Sequence, residues 1–229
     1  MHTVRARVTV ALLAAGLCLT ACTVTAPAAS TPSDPRPVAA FYGDSYTLGT
    51  GASDPRRRWS SLVSSQHGWQ EFNPSVNGLG FVANRDVTGD GDLPDQIIRA
   101  NPAIVFIAMG LNDNFVYDRD AAAVRRAIRA DVTRLHDALP HARFVVVEPF
   151  WYTADRPDSV ATIIRWVHDE ADAIGADWIP GASHWLDGHY AGDADSWMAA
   201  DGLHPDDIGY AEMAARMESA LDALEPPLE

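Results

Sequence analysis

The chain predicts an α/β domain with a mainly parallel sheet, and three observations carry this. The apolar runs Val38-Ala39-Ala40-Phe41-Tyr42, Ile104-Val105-Phe106-Ile107-Ala108-Met109 and Phe144-Val145-Val146-Val147 lack the alternation of a half-wet strand. They read as strands buried on both faces. The segments between them place apolar residues every three or four positions, as helices packed on one side do. Strands and helices taken in turn form βαβ units.

The elements follow in order. Residues 38–42 are the first strand, ending at Gly43. A helix is expected over 59–66 and a short strand over 72–76, leading to Asn77-Gly78-Leu79-Gly80. Residues 82–92 are polar and Gly-rich, a loop, and 93–99 form a short helix. After the strand at 104–109, a long helix spans 120–139, with Val124, Ile128, Val132, Leu135 and Leu139 close to one face. Residues 144–147 are the next strand. Asp158 is expected to cap a helix whose inward stripe is Val160, Ile163, Ile164, Val167, Ala171 and Ile174, with Gly175 as its stop. Residues 177–179 are a short strand. Asp206 opens a last helix with Ile208, Met213, Met217 and Leu221 inward.

The first residues stand apart from this domain. Arg5 and Arg7 precede an almost wholly apolar stretch, residues 8–21, too short for an ordinary membrane span. Residues 1–21 are therefore expected to be a signal peptide. Leu19-Thr20-Ala21-Cys22 resembles the lipobox of bacterial lipoproteins, which makes Cys22 the lipidated residue. A plain signal peptide cut near Ala28 or Ala29 is the other reading. Residues 22–37, rich in Thr, Ala, Ser and Pro, form a flexible tether, and 38–229 form the domain. The chain is thus expected to be exported and held at the outer face of a membrane by its lipid, or secreted.

The two cysteines, Cys18 and Cys22, both fall in this leading segment, so the domain is expected to have no disulfide. The net charge is −14, and loss of Arg5 and Arg7 with the leader takes it to −16. An acidic surface argues against nucleic acid and against electrostatic docking on anionic lipid. A monomer is expected.

Chemistry concentrates in short motifs at the ends of predicted strands. Gly43-Asp44-Ser45 follows the first strand, and Asp201-Gly202-Leu203-His204-Pro205 lies near the C-terminus. A serine hydroxyl is a weak nucleophile until a base lies within reach, and imidazole, with an ordinary pKa of about 6.5, is such a base. An aspartate three residues earlier can reach one ring nitrogen and fix the tautomer. Gly110-Leu111-Asn112-Asp113 closes the strand at 104–109 and offers a side-chain amide. The backbone N–H groups of Ser45 and Gly78 and the amide of Asn112 are candidate donors to a developing oxyanion, where one donor is typically worth about 10²–10³ in rate. Ligands of open parallel sheets gather at the strands' carboxyl ends, where these motifs lie.

In this order the motifs resemble those of the SGNH (also called GDSL) hydrolase superfamily, over roughly residues 38–224. Gly43-Asp44-Ser45 matches its nucleophile block, Asn73 to Gly78 the run-up to its oxyanion glycine, Gly110-Leu111-Asn112-Asp113 its amide block and Asp201 with His204 its acid–base block. Gly80 is the alternative to Gly78. The resemblance implies a three-layer α/β/α sandwich of flavodoxin type and metal-independent ester hydrolysis through an acyl-enzyme on Ser45. It implies a catalytic set of Ser45, Asp201 and His204, with Ser45, Gly78 and Asn112 as oxyanion donors and no cofactor or metal. Thr47 replaces the second glycine of a Gly-x-Ser-x-Gly elbow, which argues against the α/β-hydrolases.

Other signals have plainer readings. Asp44 and Asp113 are expected to brace loops. Residues 86–92 look like the start of a calcium loop, but Thr88 and Ile97 stand where Asp or Asn and Glu are wanted. His184 and His189 lack convincing metal spacing. Trp178, Trp185 and Trp197 are expected in the core, with a sugar-stacking or acyl-contacting wall as the alternative. Arg56-Arg57-Arg58 opens a helix or holds an anionic substrate group. The leading expectation is an exported serine esterase for small-molecule or glycan esters with short acyl or O-acetyl groups. Lysophospholipase or lipase-like activity, acyl transfer, and non-catalytic glycan binding are the alternatives.

Overall fold

A computed structural model of the chain describes residues 36–88 and 91–228. The predicted leader, Cys22 and the tether up to residue 35 lie outside the described residues. Five parallel strands form one sheet: β1 (Val38–Gly43), β2 (Gln70–Phe72), β3 (Ile104–Ala108), β4 (Arg143–Val147) and β5 (Asp177–Ile179), in the order β2-β1-β3-β4-β5. The helices are α1 (Ser45–Leu48), α2 (Trp59–Gln66), α3 (Leu93–Ala100), α4 (Tyr117–Ala138), α5 (Asp158–Ile174) and α6 (Asp207–Leu221).

Alternation along each strand divides the core in two. Ala39, Phe41, Phe106 and Val145 face a cluster with Trp59 and Val63 of α2 and Met213, Met217 and Leu221 of α6. Ala40, Tyr42, Val105, Ile107 and Val146 face the other way, onto Ile97 of α3, Val124, Ile128 and Val132 of α4, and Ile163 and Val167 of α5. Both faces of the sheet are therefore covered, as all-parallel sheets require. The result is the three-layer α/β/α sandwich that the resemblance implied.

Several boundaries differ from the sequence reading. The strand after α2 ends at Phe72 rather than running to 76. Asn73 turns the chain there: its Oδ1 accepts the Ser75 N–H at 3.1 Å, and Pro74 has no N–H to give a ladder. Helix α4 begins at Tyr117, with non-helical backbone at Asp120 (φ −132°) where the helix was expected to start. Helix α5 has Pro157 at its cap and no side-chain cap bond; Asp158 is instead its first residue, favourably placed in the helix dipole. Ile208 is 57% exposed, and Tyr210 takes the inward place near the start of α6.

The order β2-β1-β3 puts a topological switch at β1, because the chain leaves it in opposite directions. The crevice outside the carboxyl ends of β1 and β3 is where such sheets bind ligands. The register pairs Gly43 with Ala108, so the residues just beyond these two strands are neighbours.

Candidate active site

The first strand delivers Ser45 to this crevice. Asp44 caps α1 by accepting the Tyr46 N–H at 2.9 Å, and Ser45 is the first helical residue, 6% exposed. A Cβ at Gly43 would collide with the side chain of Thr47, so this tight turn requires glycine. The far end of α1 is held from behind. The Thr47 carbonyl accepts from Asn73 Nδ2 (2.7 Å) and Ser60 Oγ (3.3 Å), and the Leu48 carbonyl from Arg58 (3.0 Å). Glu71 gathers Arg58, Ser60 and Ser61 from the other side.

Asp201 and His204, the expected acid and base, share one compact turn. Met198 and Pro205 form an antiparallel bridge, and the Ala199 N–H meets the His204 carbonyl at 2.8 Å. Asp201 Oδ1 accepts the N–H groups of Leu203 (2.9 Å) and His204 (3.0 Å), which leaves Oδ2 for His204 Nδ1 at 2.7 Å. The three-residue spacing therefore serves two ends: one oxygen shapes the turn and the other fixes the ring. Burial pushes the Asp201 carboxyl up, but the His204 ring and the two N–H donors outweigh it and hold its pKa at about 2. A neutral ring that donates from Nδ1 carries its lone pair on Nε2, the form a general base needs.

The turn lies against α1, which Ser45 opens. Tyr46 Oη donates to the Leu203 carbonyl at 2.6 Å, and the Tyr46 and His204 rings lie 5.9 Å apart. The loop after α1 packs so closely on His204 and Pro205 that a Cβ at Gly51 would strike the Pro205 carbonyl. Ser53 fastens that loop to Asp207 through its N–H (2.8 Å) and Oγ (2.7 Å). Among the described residues no hydrogen bond ties Ser45 Oγ to His204, and such bonds are commonly long in sites without substrate.

Asn112 sits in a single 3-10 turn (Asn112–Phe115) just past β3. Its Nδ2 faces the Leu79 carbonyl at 3.0 Å and Asp44 Oδ2 at 3.3 Å. The loop carrying Gly78 is anchored along its length. The fully buried Asp113 accepts the N–H groups of Phe81 (2.7 Å), Val82 (2.8 Å) and Ala83 (3.2 Å). Arg85 reaches Tyr42 Oη and Asp131, both at 2.6 Å. Gly80 donates its N–H to the Ala83 carbonyl at 2.8 Å, whereas no hydrogen bond among the described residues engages the Gly78 N–H. Gly78 has φ +71°, and its carbonyl accepts from Asn84 Nδ2 at 2.8 Å.

The two extra aspartates brace loops, as expected, and both are buried. Burial pushes the Asp44 carboxyl up to about 7; the Tyr46 N–H opposes this and the nearby Asp113 adds to it. Burial likewise raises Asp113 against its three N–H donors.

The weaker motifs find other partners. Asp92 caps α3 and gives its second oxygen to Arg85 and Arg134, each at 2.9 Å; residues 89 and 90 of that loop lie outside the described residues. Among the described residues no three His, Cys, Asp or Glu side chains gather as a metal site would require. His184 pairs with Asp187 at 2.8 Å, and His189 Nδ1 meets the Asp195 carbonyl. Arg56 is paired with Asp54, and Arg57 faces Asp207 at 3.5 Å. Trp185 is core, in contact with Phe150, Trp178 stacks on His168, and Trp197 is half-buried and stacked on His189. No sequence signal marks Tyr46 other than its place beside Ser45.

The fold and site together define a parallel α/β domain with a serine at the carboxyl end of an inner strand and a histidine–aspartate turn beside it. The model of the GDSL-like lipase/acylhydrolase family matches residues 41–212, and the chain belongs to that family, whose members are hydrolases of esterase or lipase type. The chain is 27% identical over 195 residues to the GDSL lipase Rv0518 of Mycobacterium tuberculosis (strain ATCC 25618 / H37Rv), covering 78% of each. Its fold is similar to that of the psychrotrophic esterase EstA of a Pseudoalteromonas species inhibited by monoethylphosphonate (TM-score 0.62, 17% identity, 81% of this chain and 97% of that one). It is also similar to a family two carbohydrate esterase of Cellvibrio japonicus (TM-score 0.62, 19% identity, 83% of this chain and 64% of that one).

Proposed function

We propose that the chain is an exported serine esterase that removes short acyl groups, O-acetyl groups among them, from small-molecule or glycan esters. Ser45 Oγ attacks the acyl carbonyl while His204 Nε2 takes its proton and Asp201 holds the imidazolium. The resulting oxyanion is met by the N–H groups of Ser45 and Gly78 and by Asn112 Nδ2, which turns one hydrogen to it from the longer, 3.3 Å bond to Asp44 Oδ2. Collapse returns the proton from His204 to the departing alcohol and leaves an acyl-enzyme. Water, deprotonated by His204, then releases the acid and restores Ser45.

The observation that carries this reading is the Asp201 Oδ2–His204 Nδ1 bond of 2.7 Å in a turn bonded to the helix that Ser45 opens. As the first residue of α1, Ser45 has an N–H with no partner in its helix, which suits an oxyanion donor. The free N–H favours Gly78 over Gly80. Next to Ser45 in the chain, the buried Tyr46 ring meets Phe150, which also contacts the buried rings of Trp59 and Trp185, and this filled space favours a small acyl group. The export and the lipid on Cys22 rest on the sequence of residues 1–22 alone, and among the described residues no helix is long and apolar enough to cross a membrane.

A second reading, lipase-like action on longer acyl chains, draws on Phe115 and Leu203. These large apolar side chains are 62% and 36% exposed, three residues from Asn112 and one from His204. They would let a long chain lie along the surface. Turnover of 4-nitrophenyl esters from acetate to palmitate separates the two readings. Ser45→Ala is expected to abolish turnover of all of them with the circular dichroism spectrum unchanged; undiminished acetate turnover would remove Ser45 from the mechanism.

A further inference from the structure

Tyr46 takes no part in the chemistry described above, yet it touches both halves of the site. It follows Ser45 in α1, and its N–H closes on Asp44 Oδ1. Its ring is 1% exposed, stacks on Phe150 with centroids 5.8 Å apart and lies beside the His204 imidazole. Its phenol donates to the Leu203 carbonyl at 2.6 Å, across 157 positions of sequence.

That bond matters because of where it ends. Residues 199–205 otherwise hold their shape by hydrogen bonds among themselves: Ala199 to His204, Gly202 to Ala199, and Leu203 and His204 to Asp201. Among the described residues, the Tyr46 phenol is the one hydrogen-bond donor that reaches this segment from another element. The middle of the turn is open to water, with the Asp201 side chain 46% exposed, while its His204 end is 14% exposed and packs on the loop after α1. The letters that name the family end in leucine, and here Tyr46 stands at that place. Leucine could fill apolar space next to Phe150 but has no donor for a carbonyl.

We propose that Tyr46 is a positioning residue whose phenol ties the backbone beside His204 to the helical turn that carries Ser45, and so sets the approach of imidazole to hydroxyl. The proposal rests on the reading of Ser45 and His204 as nucleophile and base. Burial, with Tyr210 and Asp44 close by, pushes the phenol well above its usual titration range. It therefore remains protonated, and a donor, wherever the histidine can act as a base. Small displacements of a catalytic group are costly: about 1 Å can lose on the order of 100-fold in rate.

Tyr46→Phe removes one oxygen and keeps the ring. With 4-nitrophenyl acetate at a temperature well below the variant's melting midpoint, kcat is expected to fall about tenfold and KM to stay within about twofold. The second-order rate at which an alkyl fluorophosphonate labels Ser45 should fall by the same factor as kcat. Tyr46→Leu, which also lacks the donor, should lose at least as much when rates are referred to the folded fraction. Wild-type kcat and labelling in both variants would overturn the proposal, even if the melting midpoint dropped, because the bond would then serve stability alone. A loss confined to KM would also overturn it, since it would put Tyr46 against substrate. Failure of the wild-type protein to be labelled at Ser45 would instead overturn the reading of the nucleophile itself.

Discussion

Asp44 and Asp201 are both carboxylates of the site, and their surroundings push them in opposite directions. Asp44 is 2% exposed, and burial, with Asp113 nearby, raises its pKa to about 7 despite the Tyr46 N–H. In the unfolded chain an aspartate titrates near pH ~4. Between about pH 4 and about pH 7 the folded protein therefore holds a proton that the unfolded chain has lost, and stability falls as pH rises through that window. Asp44→Asn keeps an oxygen for the Tyr46 N–H and removes the titration. Urea unfolding from pH 4 to pH 8 should show wild-type stability declining and the variant's staying flatter; parallel curves would contradict the raised value. Asp201 has the reverse sign. Its pKa is held at about 2, so its contribution is present above about pH 4 and is lost as pH falls towards about 2. Its side chain is nearly half exposed, so solvent screens the pair and its share of stability is small. Asp201→Asn should flatten that acid limb slightly and remove most of the activity at neutral pH, because the ring then loses the carboxylate that orients it.

The loop after β2 is where an element's sequence and its geometry part company. Gly78 and Gly80 look interchangeable in Asn77-Gly78-Leu79-Gly80, but they differ in what surrounds them. Gly80 packs on the Asp113 carboxylate so closely that a Cβ would collide with it, and that carboxylate is already bonded to the next three N–H groups. Gly80→Ala is therefore expected to cost about 1–3 kcal/mol by overpacking, measured by urea unfolding, and to reduce ester turnover as the loop moves Gly78. Neither consequence was legible in the sequence, since Asp113 lies 33 positions away. Helix α1 was equally hidden: four residues are too few to show an apolar period, and only the cap and the left-handed Gly49 define it. Strands β1, β3 and β4 were legible because burial on both faces leaves an unbroken apolar run. Strand β2, an edge of three residues reading Gln70-Glu71-Phe72, carries no such run and was placed too late in the chain.

The candidate site draws on the end of the first strand, the middle of the chain and the approach to the last helix. That is why its motifs could be read in order, while their meeting could not. Ser45 comes from the end of β1, Asn112 from the end of β3, and His204 from the turn that leads directly into α6. Helix α6 reaches the sheet through Met213 and Met217, both fully buried in the cluster that includes Phe41 of β1 and Phe106 of β3. Loosening α6 should therefore disturb His204 without touching it. Met217→Ala removes buried volume ten positions beyond Asp207, the first residue of α6, and such truncations typically cost about 2–5 kcal/mol. If the domain unfolds as one unit, loss of fluorophosphonate labelling and loss of helical circular dichroism should follow the same urea curve in the wild type. Met217→Ala should move both curves to lower urea together. Labelling lost well before the helical signal would mean instead that the acid–base turn and α6 open as a separate, weaker unit. In that event the Tyr46–Leu203 bond opens together with those of Ser53 to Asp207 and of Tyr210 to the Thr50 carbonyl, which tie α6 to the loop after α1.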